Sequence, residues 1–252
     1  MSLQQSRPST MVRTEQGSAP EADPDDGITG SIIAIGFSVT MNVLTLVGVM
    51  AWGWPAGNVM LLFWIENVII GMISLVRVVS ARGTATDGSR LTVNGRPVRG
   101  TPGRYGLFFT LHYGIFCLVH GVFTLIVTIK LGVEPTFLWL GFPVIVVAVR
   151  YLVELLSTWF GPTGLRTVVS PQQAMLQPYP RIIVLHLAVL FAFWFTLGGG
   201  DGLPAAVLRV LDPIFALLPH RFRTDGVEVI LILVVIKTVV DIYTTRRATR
   251  SG

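Results

Sequence analysis

The chain is poor in charge and nearly free of cysteine. Cys117 is its one cysteine in 252 residues, so no disulfide framework holds the fold. Charged residues make up 13% against 52% hydrophobic, the reverse of the balance that keeps a domain of this length in water. The compact motifs of soluble catalysis are missing too. There is no HExxH zinc helix, no GxSxG nucleophile elbow, no GxxxxGK[ST] phosphate loop and no GxGxxG opening a helix. Gly198 to Asp201 fits the GxGD pattern of intramembrane aspartyl proteases, but it sits in a glycine turn at the end of an apolar segment, without a Tyr-Asp partner, and reads as a loop. A cleavable signal is also lacking. Residues 1–29 are polar, carry the acidic run Glu21 to Asp26, and read as a disordered tail.

What is present is long apolar segments. Hydrocarbon about 30 Å thick needs roughly 20 apolar residues per helical span. Six segments qualify, near Gly30–Met50, Gly57–Val79, Tyr105–Ile129, Thr136–Phe160, Arg181–Leu197 and Val227–Tyr243. The expected fold is an all-α, polytopic membrane helix bundle over 30–246, with a short tail at 247–252. Arginines orient it, since Lys and Arg favour the cytoplasmic side. Arg7 and Arg13, the 81–104 loop with its flanking arginines, Arg166 and Arg181, and the tail Arg246, Arg247 and Arg250 share one side. Only Lys130, Arg209, Arg221 and Arg223 oppose them, so both termini are expected in the cytoplasm and the protein in the cell membrane. The 81–104 loop carries Leu91 to Val98, where Asn94-Gly95 between apolar runs predicts a two-residue hairpin turn. Anionic lipid headgroups suit this basic loop, and nothing in the chain points to nucleic acid. Residues 203–219 read as an interfacial helix on the outer side, with a re-entrant segment as the competing reading.

Against this apolar background, ionisable residues within spans mark functional candidates. Glu66 and Asn67 interrupt LFWIENVIIG, and His112, Tyr113, Cys117 and His120 interrupt FFTLHYGIFCLVHGVF. Arg150, Glu154 and Ser157, like Lys237, Asp241 and Thr244, recur at i, i+4, i+7, so each set forms one stripe with an ion pair available inside it. Counting residues from the cytoplasmic side places His112, His186, Glu154 and Asp241 at one depth, with His120 about 12 Å beyond His112. Tyr105-x6-His112 and Tyr179-x6-His186 suggest a two-helix repeat about an axis along the membrane normal.

Three uses compete for this set. A transition-metal site of zinc, iron or copper would take its ligands from His112, His120, His186, Asp241 and Glu66, with Asn67, Tyr113, Cys117, Arg150, Glu154 and Lys237 as the surrounding polar network. A haem held by His112 and His186 is a variant of that reading. A proton or ion pathway would use the same groups as relays, with Pro143 admitting water by kinking the fourth span. A purely structural network would pair charges and tie helices together. Whether the chain is an enzyme, and what small molecule or ion it handles, stays open.

The segments LFWIENVIIG, FFTLHYGIFCLVHGVF, PYPRIIVLHLAVLFA and IKTVVD together resemble a family of bacterial and archaeal integral membrane proteins known only as a domain of unknown function. The resemblance covers about Leu62 to Asp241. It implies a polytopic membrane architecture and singles out Glu66, Asn67, His112, Tyr113, His120, His186, Lys237 and Asp241. It implies no activity.

Overall fold

A computed structural model describes residues 24–84, 92–93, 96–97, 100–162, 164–197, 213 and 227–250, with a subset of the side chains in the first helix and the last two. Helices dominate: α1 (Pro24–Ala51), α2 (Ala56–Ser80), α3 (Pro102–Lys130), α4 (Phe142–Glu154), α5 (Pro171–Leu176), α6 (Tyr179–Leu197) and α7 (Val227–Arg250). The segments Ala56–Ser80, Pro102–Lys130 and Phe137–Trp159 are long and apolar enough to cross a membrane. At 1.5 Å per residue, the shortest of the three, with 23 residues, still exceeds the hydrocarbon thickness of about 30 Å.

The expected boundaries shift at both ends of the chain. Helix α1 begins at Pro24, inside the segment read as a disordered tail, and α7 continues to Arg250 through the segment read as a C-terminal tail. The interfacial helix expected over 203–219 lies outside the described residues, Pro213 apart, as do the Gly198–Asp201 turn and residues 1–23. In the basic loop, Thr92 pairs with Pro97 and Val93 with Arg96 in a minimal antiparallel hairpin. That register leaves two residues between the strands, as Asn94-Gly95 predicts.

Helix α3 shows the bundle's solvent most clearly. Leu107, Leu111, Ile115, Leu118, Val122, Leu125 and Ile129 recur every three or four residues as an exposed aliphatic stripe. The opposite face, buried in the protein, carries Tyr113, Cys117, His120, Thr124 and Thr128. Apolar outside and polar inside is the arrangement that hydrocarbon favours and water does not.

Helix α2 is the hub, packing against α3, α4, α5, α6 and α7. Its two ends anchor two apolar cores. Ala56, Val59, Met60 and Phe63 join Val49 of α1, Val127 of α3, Val189 and Ala192 of α6, and Ile230, Leu233 and Val234 of α7. At the other end, Val78 joins Phe109, Leu155, Trp159, Met175 and Ile182. Close approach of α2 to α3 depends on glycine. A Cβ on Gly71 would lie 2.3 Å from the Tyr113 ring, and one on Gly57 would lie 2.1 Å from the Gly132 carbonyl.

The membrane-length segment Phe137–Trp159 is α4 extended by a π-helical turn at each end, Phe137–Gly141 and Leu155–Trp159. Pro143 has no N–H to bond the Trp139 carbonyl four residues back. Trp54 supplies the donor instead, Nε1 to O at 2.7 Å, and the Asn58 amide lies 3.5 Å from the same oxygen. The proline therefore marks a turn held from outside the helix, near the helix start.

Candidate functional site

The buried polar residues of α2 each reach a different neighbour, because successive side chains on a helix turn by about 100°. Asn58 clamps the loop after α3 in both directions: its Nδ2 donates to Glu134 O at 2.8 Å, and Glu134 N donates to its Oδ1 at 2.9 Å. Asn67 faces α3, where its Nδ2 donates to Cys117 Sγ at 3.4 Å and its own carbonyl accepts from Tyr113 Oη at 2.7 Å. Trp64 donates to the Cys117 carbonyl at 2.9 Å. Arg77, in the last turn of α2, pairs with Glu154 at 3.0 Å and lies over the Trp159 ring.

Glu66 turns the other way and is shared by two helices. Lys237 of α7 sets its Nζ 3.2 Å from Oε2 and 3.3 Å from Oε1, and Tyr151 of α4 donates to Oε1 at 2.8 Å. The ammonium also lies 5.6 Å from the centroid of the Phe63 ring. Both carboxylate oxygens are thus occupied inside a buried site. The stripes read from spacing change accordingly. Glu154 takes an ion pair from α2, and Lys237 takes one from α2. The buried face of α4 is Tyr151, Leu155 and Trp159, with Arg150 and Glu154 at its margin and Ser157 exposed. The side chains of Asp241 and Thr244 lie outside the described residues.

Helices α3 and α6 run parallel, joined by a ladder of rings. His112 stacks on Phe108 and on Tyr179, Phe116 contacts His120 and His186, and Phe123 meets Phe193 edge-on. Tyr179, His186 and Phe193 follow at intervals of seven, which keeps them on one stripe facing α3. This corrects the expected depths. The paired Tyr-x6-His motifs would set His112 level with His186, yet Tyr179 lies beside His112 and His186 beside His120. The cause is α5, whose Ala174 and Met175 are buried in the second core. The connection dips into the bundle, and the 19-residue α6 begins well along the 29-residue α3.

The two histidines touch directly, His120 Nε2 to His186 Nδ1. His120 Nδ1 lies 2.8 Å from the Phe116 carbonyl. A carbonyl only accepts, so Nδ1 carries the proton, and a neutral His120 presents the lone pair of Nε2. His186 must then donate from Nδ1, which leaves its own lone pair on Nε2. One turn from His120, the fully buried Thr124 hydroxyl has no hydrogen-bond partner among the described residues.

This geometry lends the metal reading no support. Among the described residues, no group of three or more His, Cys, Asp or Glu is placed to hold a metal ion. His112 is exposed and lies eight residues, about 12 Å, from His120 along α3. Both nitrogens of His120 are engaged, and Glu66 is held by Lys237 and Tyr151. Nor do His112 and His186 face one another as the haem variant expects, since His186 packs against His120.

The four central groups form one layer. His186 precedes Val189 by one turn on α6, Lys237 follows Val234 by one turn on α7, and Glu66 follows Phe63 by one turn on α2; Val189, Val234 and Phe63 all belong to the first core. Residues 26–252 match the model of a family described as a family of unknown function, DUF6498. The chain belongs to that family. The DUF6498 match takes in all six apolar segments and the whole layer. No curated protein and no solved structure matches the chain. Sequence reasoning missed Tyr151, Asn58, Trp64 and Thr124 as members of the site, and took Arg77 only as a loop cation. The signal for Tyr151 was its place at i, i+4, i+8 with Leu155 and Trp159.

Proposed function

We propose that this DUF6498 protein is a proton-coupled transporter of the cell membrane, with six spans and both termini in the cytoplasm. The reading rests on one observation, the direct contact of His120 with His186 in the layer that also holds Glu66 and Lys237. A proton arriving at His186 Nε2 makes an imidazolium whose Nδ1 proton can pass to His120 Nε2, so the positive charge spreads over two rings. Imidazole can accept a proton on one ring nitrogen and release one from the other, so the pair is suited to passing protons along. Glu66 is a second proton acceptor in the same layer. The arginine distribution supports the orientation, and the 81–104 loop is suited to anionic lipid on that side.

The test is proton uptake into liposomes containing purified protein, driven by a potassium diffusion potential and read with a trapped pH dye. Wild type should acidify the lumen faster than protein-free vesicles. His120→Phe and His186→Phe should lose the flux while keeping monodisperse, helical protein. Flux at the protein-free level in wild type, or undiminished flux in both variants, rejects the reading in favour of a structural polar network.

A further inference from the structure

We infer that Arg82 and Arg166 together hold the phosphate of an anionic phospholipid at the end of the bundle where α2 stops and α3 begins. The inference deepens the lipid part of the reading above, on which it rests, by naming a site, and it is independent of proton movement.

Two connections meet at this surface. The membrane-length segments Ala56–Ser80 and Phe137–Trp159 both end there, and Trp159 Nε1 donates to Ser80 Oγ at 2.9 Å, so their ends are level. At 1.5 Å per residue the 25 residues of α2 exceed hydrocarbon about 30 Å thick, so its end reaches the headgroup layer. The backbones that leave these ends are locked together. Arg82 N donates to Arg166 O at 2.8 Å, and Gly83 N donates to Val169 O at 3.1 Å. The approach is so close that a Cβ on Gly83 would lie 2.1 Å from the Val168 carbonyl oxygen. Two arginines from distant parts of the chain are thereby fixed as neighbours at the depth of lipid phosphates.

Their side chains suit a headgroup. The Arg166 guanidinium lies 5.4 Å from the centroid of the exposed Phe160 ring. Stacking uses the flat face of the group and leaves its N–H donors in the plane, where a phosphate takes two at once. Arg82 is exposed, and among the described residues neither guanidinium is hydrogen-bonded or ion-paired. Leu165 and Val168, on either side of Arg166, are exposed too. Arginine set between large apolar side chains at the end of a span matches the boundary between headgroups and acyl chains.

Charge fixes the class of partner. Residues 155–181 contain two arginines and no acid, and residues 81–104 contain five arginines and one acid, Asp87. Asp87 lies outside the described residues and can offset no more than one of the five. Glu154, on α4, already pairs with Arg77. The counter-charge must come from outside the chain. Free phosphate would meet the arginines and leave Leu165 and Val168 in water, whereas a phospholipid meets both.

Native mass spectrometry tests the site on the full chain, purified in a neutral detergent and titrated with phosphatidylglycerol or phosphatidylcholine. Surface attraction of about 1 kcal/mol per arginine gives wild type a preference of about tenfold or more for phosphatidylglycerol. Arg82→Gln with Arg166→Gln should remove that preference. Arg96→Gln with Arg99→Gln deletes the same charge from the hairpin loop and should largely keep it. The inference is overturned if the hairpin variant loses as much as the Arg82 and Arg166 variant, or if inorganic phosphate equimolar with the lipid displaces it. Equal losses would leave a diffuse attraction and remove this site alone, whereas wild type without any preference would remove the lipid part of the reading beneath it as well.

Discussion

Replacing Lys237 by methionine keeps most of the side-chain volume but takes the ammonium away from a buried carboxylate. Breaking a buried ion pair from one side typically costs about 3 to 5 kcal/mol, because the remaining charge stays desolvated. Lys237→Met should therefore lower the thermal unfolding midpoint in detergent markedly, and adding Glu66→Gln should recover most of the loss. A double variant no more stable than the single one would mean that the pair contributes little. Gly71→Ala tests packing in the same way. The new methyl group would lie 2.3 Å from the Tyr113 ring, so Tyr113 must move and its bond to the Asn67 carbonyl must lengthen or break. Overpacking of this kind costs about 1 to 3 kcal/mol, read as a fall in the same midpoint, with Tyr113→Leu in the Gly71→Ala background restoring part of it. At this scale much was legible. Glu66, Asn67, Tyr113, Cys117 and His120 stand out because polar groups in apolar runs must face inward. Their partners were not legible, since spacing along one helix gives a face and says nothing of which helix meets it. Tyr151 escaped notice because an uncharged tyrosine in an apolar segment looks like any other large side chain.

Helix α4 carries the bundle's main irregularities at the level of elements. Pro143 breaks the regular bonding, and Trp54 and Asn58 take over the Trp139 carbonyl from the α1–α2 turn and the start of α2. A π-helical turn next to a proline is then expected to persist only while that donor is present. Trp54→Phe removes the donor while keeping an aromatic ring, and loss of a hydrogen bond of this kind costs about 1 kcal/mol. The expected result is a lower unfolding midpoint together with faster amide exchange over residues 137–142. Unchanged exchange there would show that the turn is held by its own sequence. The existence of the elements was readable from length and hydropathy, and the hairpin from Asn94-Gly95. The height of α6 was not readable, because it depends on the buried hydrophobic contacts of the six-residue α5, a segment too short to give a periodic signal. That one displacement separates His112 from the contact between His120 and His186.

On the scale of the whole molecule, two apolar cores lie at the ends of α2 and a titratable layer lies between them. The first core draws on α1, α2, α3, α6 and α7, whereas the second draws on α2, α3, α4, α5 and α6. The layer is therefore bounded on one side by helices from both ends of the chain, which requires α1, α6 and α7 to sit alongside the three helices that are unambiguously long and apolar enough to cross. Parity decides whether they cross too. Six crossings put both termini on one face, while crossings by α2, α3 and α4 alone put them on opposite faces. In a Cys117→Ser background, single cysteines at Asp87, Pro135 and Ser251 report the three places that matter. With six spans, a membrane-impermeant maleimide should label position 135 in intact cells and positions 87 and 251 only in inverted vesicles. A cysteine at position 2 should follow position 251, because an even number of crossings joins them. Labelling of positions 2 and 251 from opposite sides would leave an odd number of spans, and the layer would then have to be rebuilt with α6 or α7 outside the bilayer.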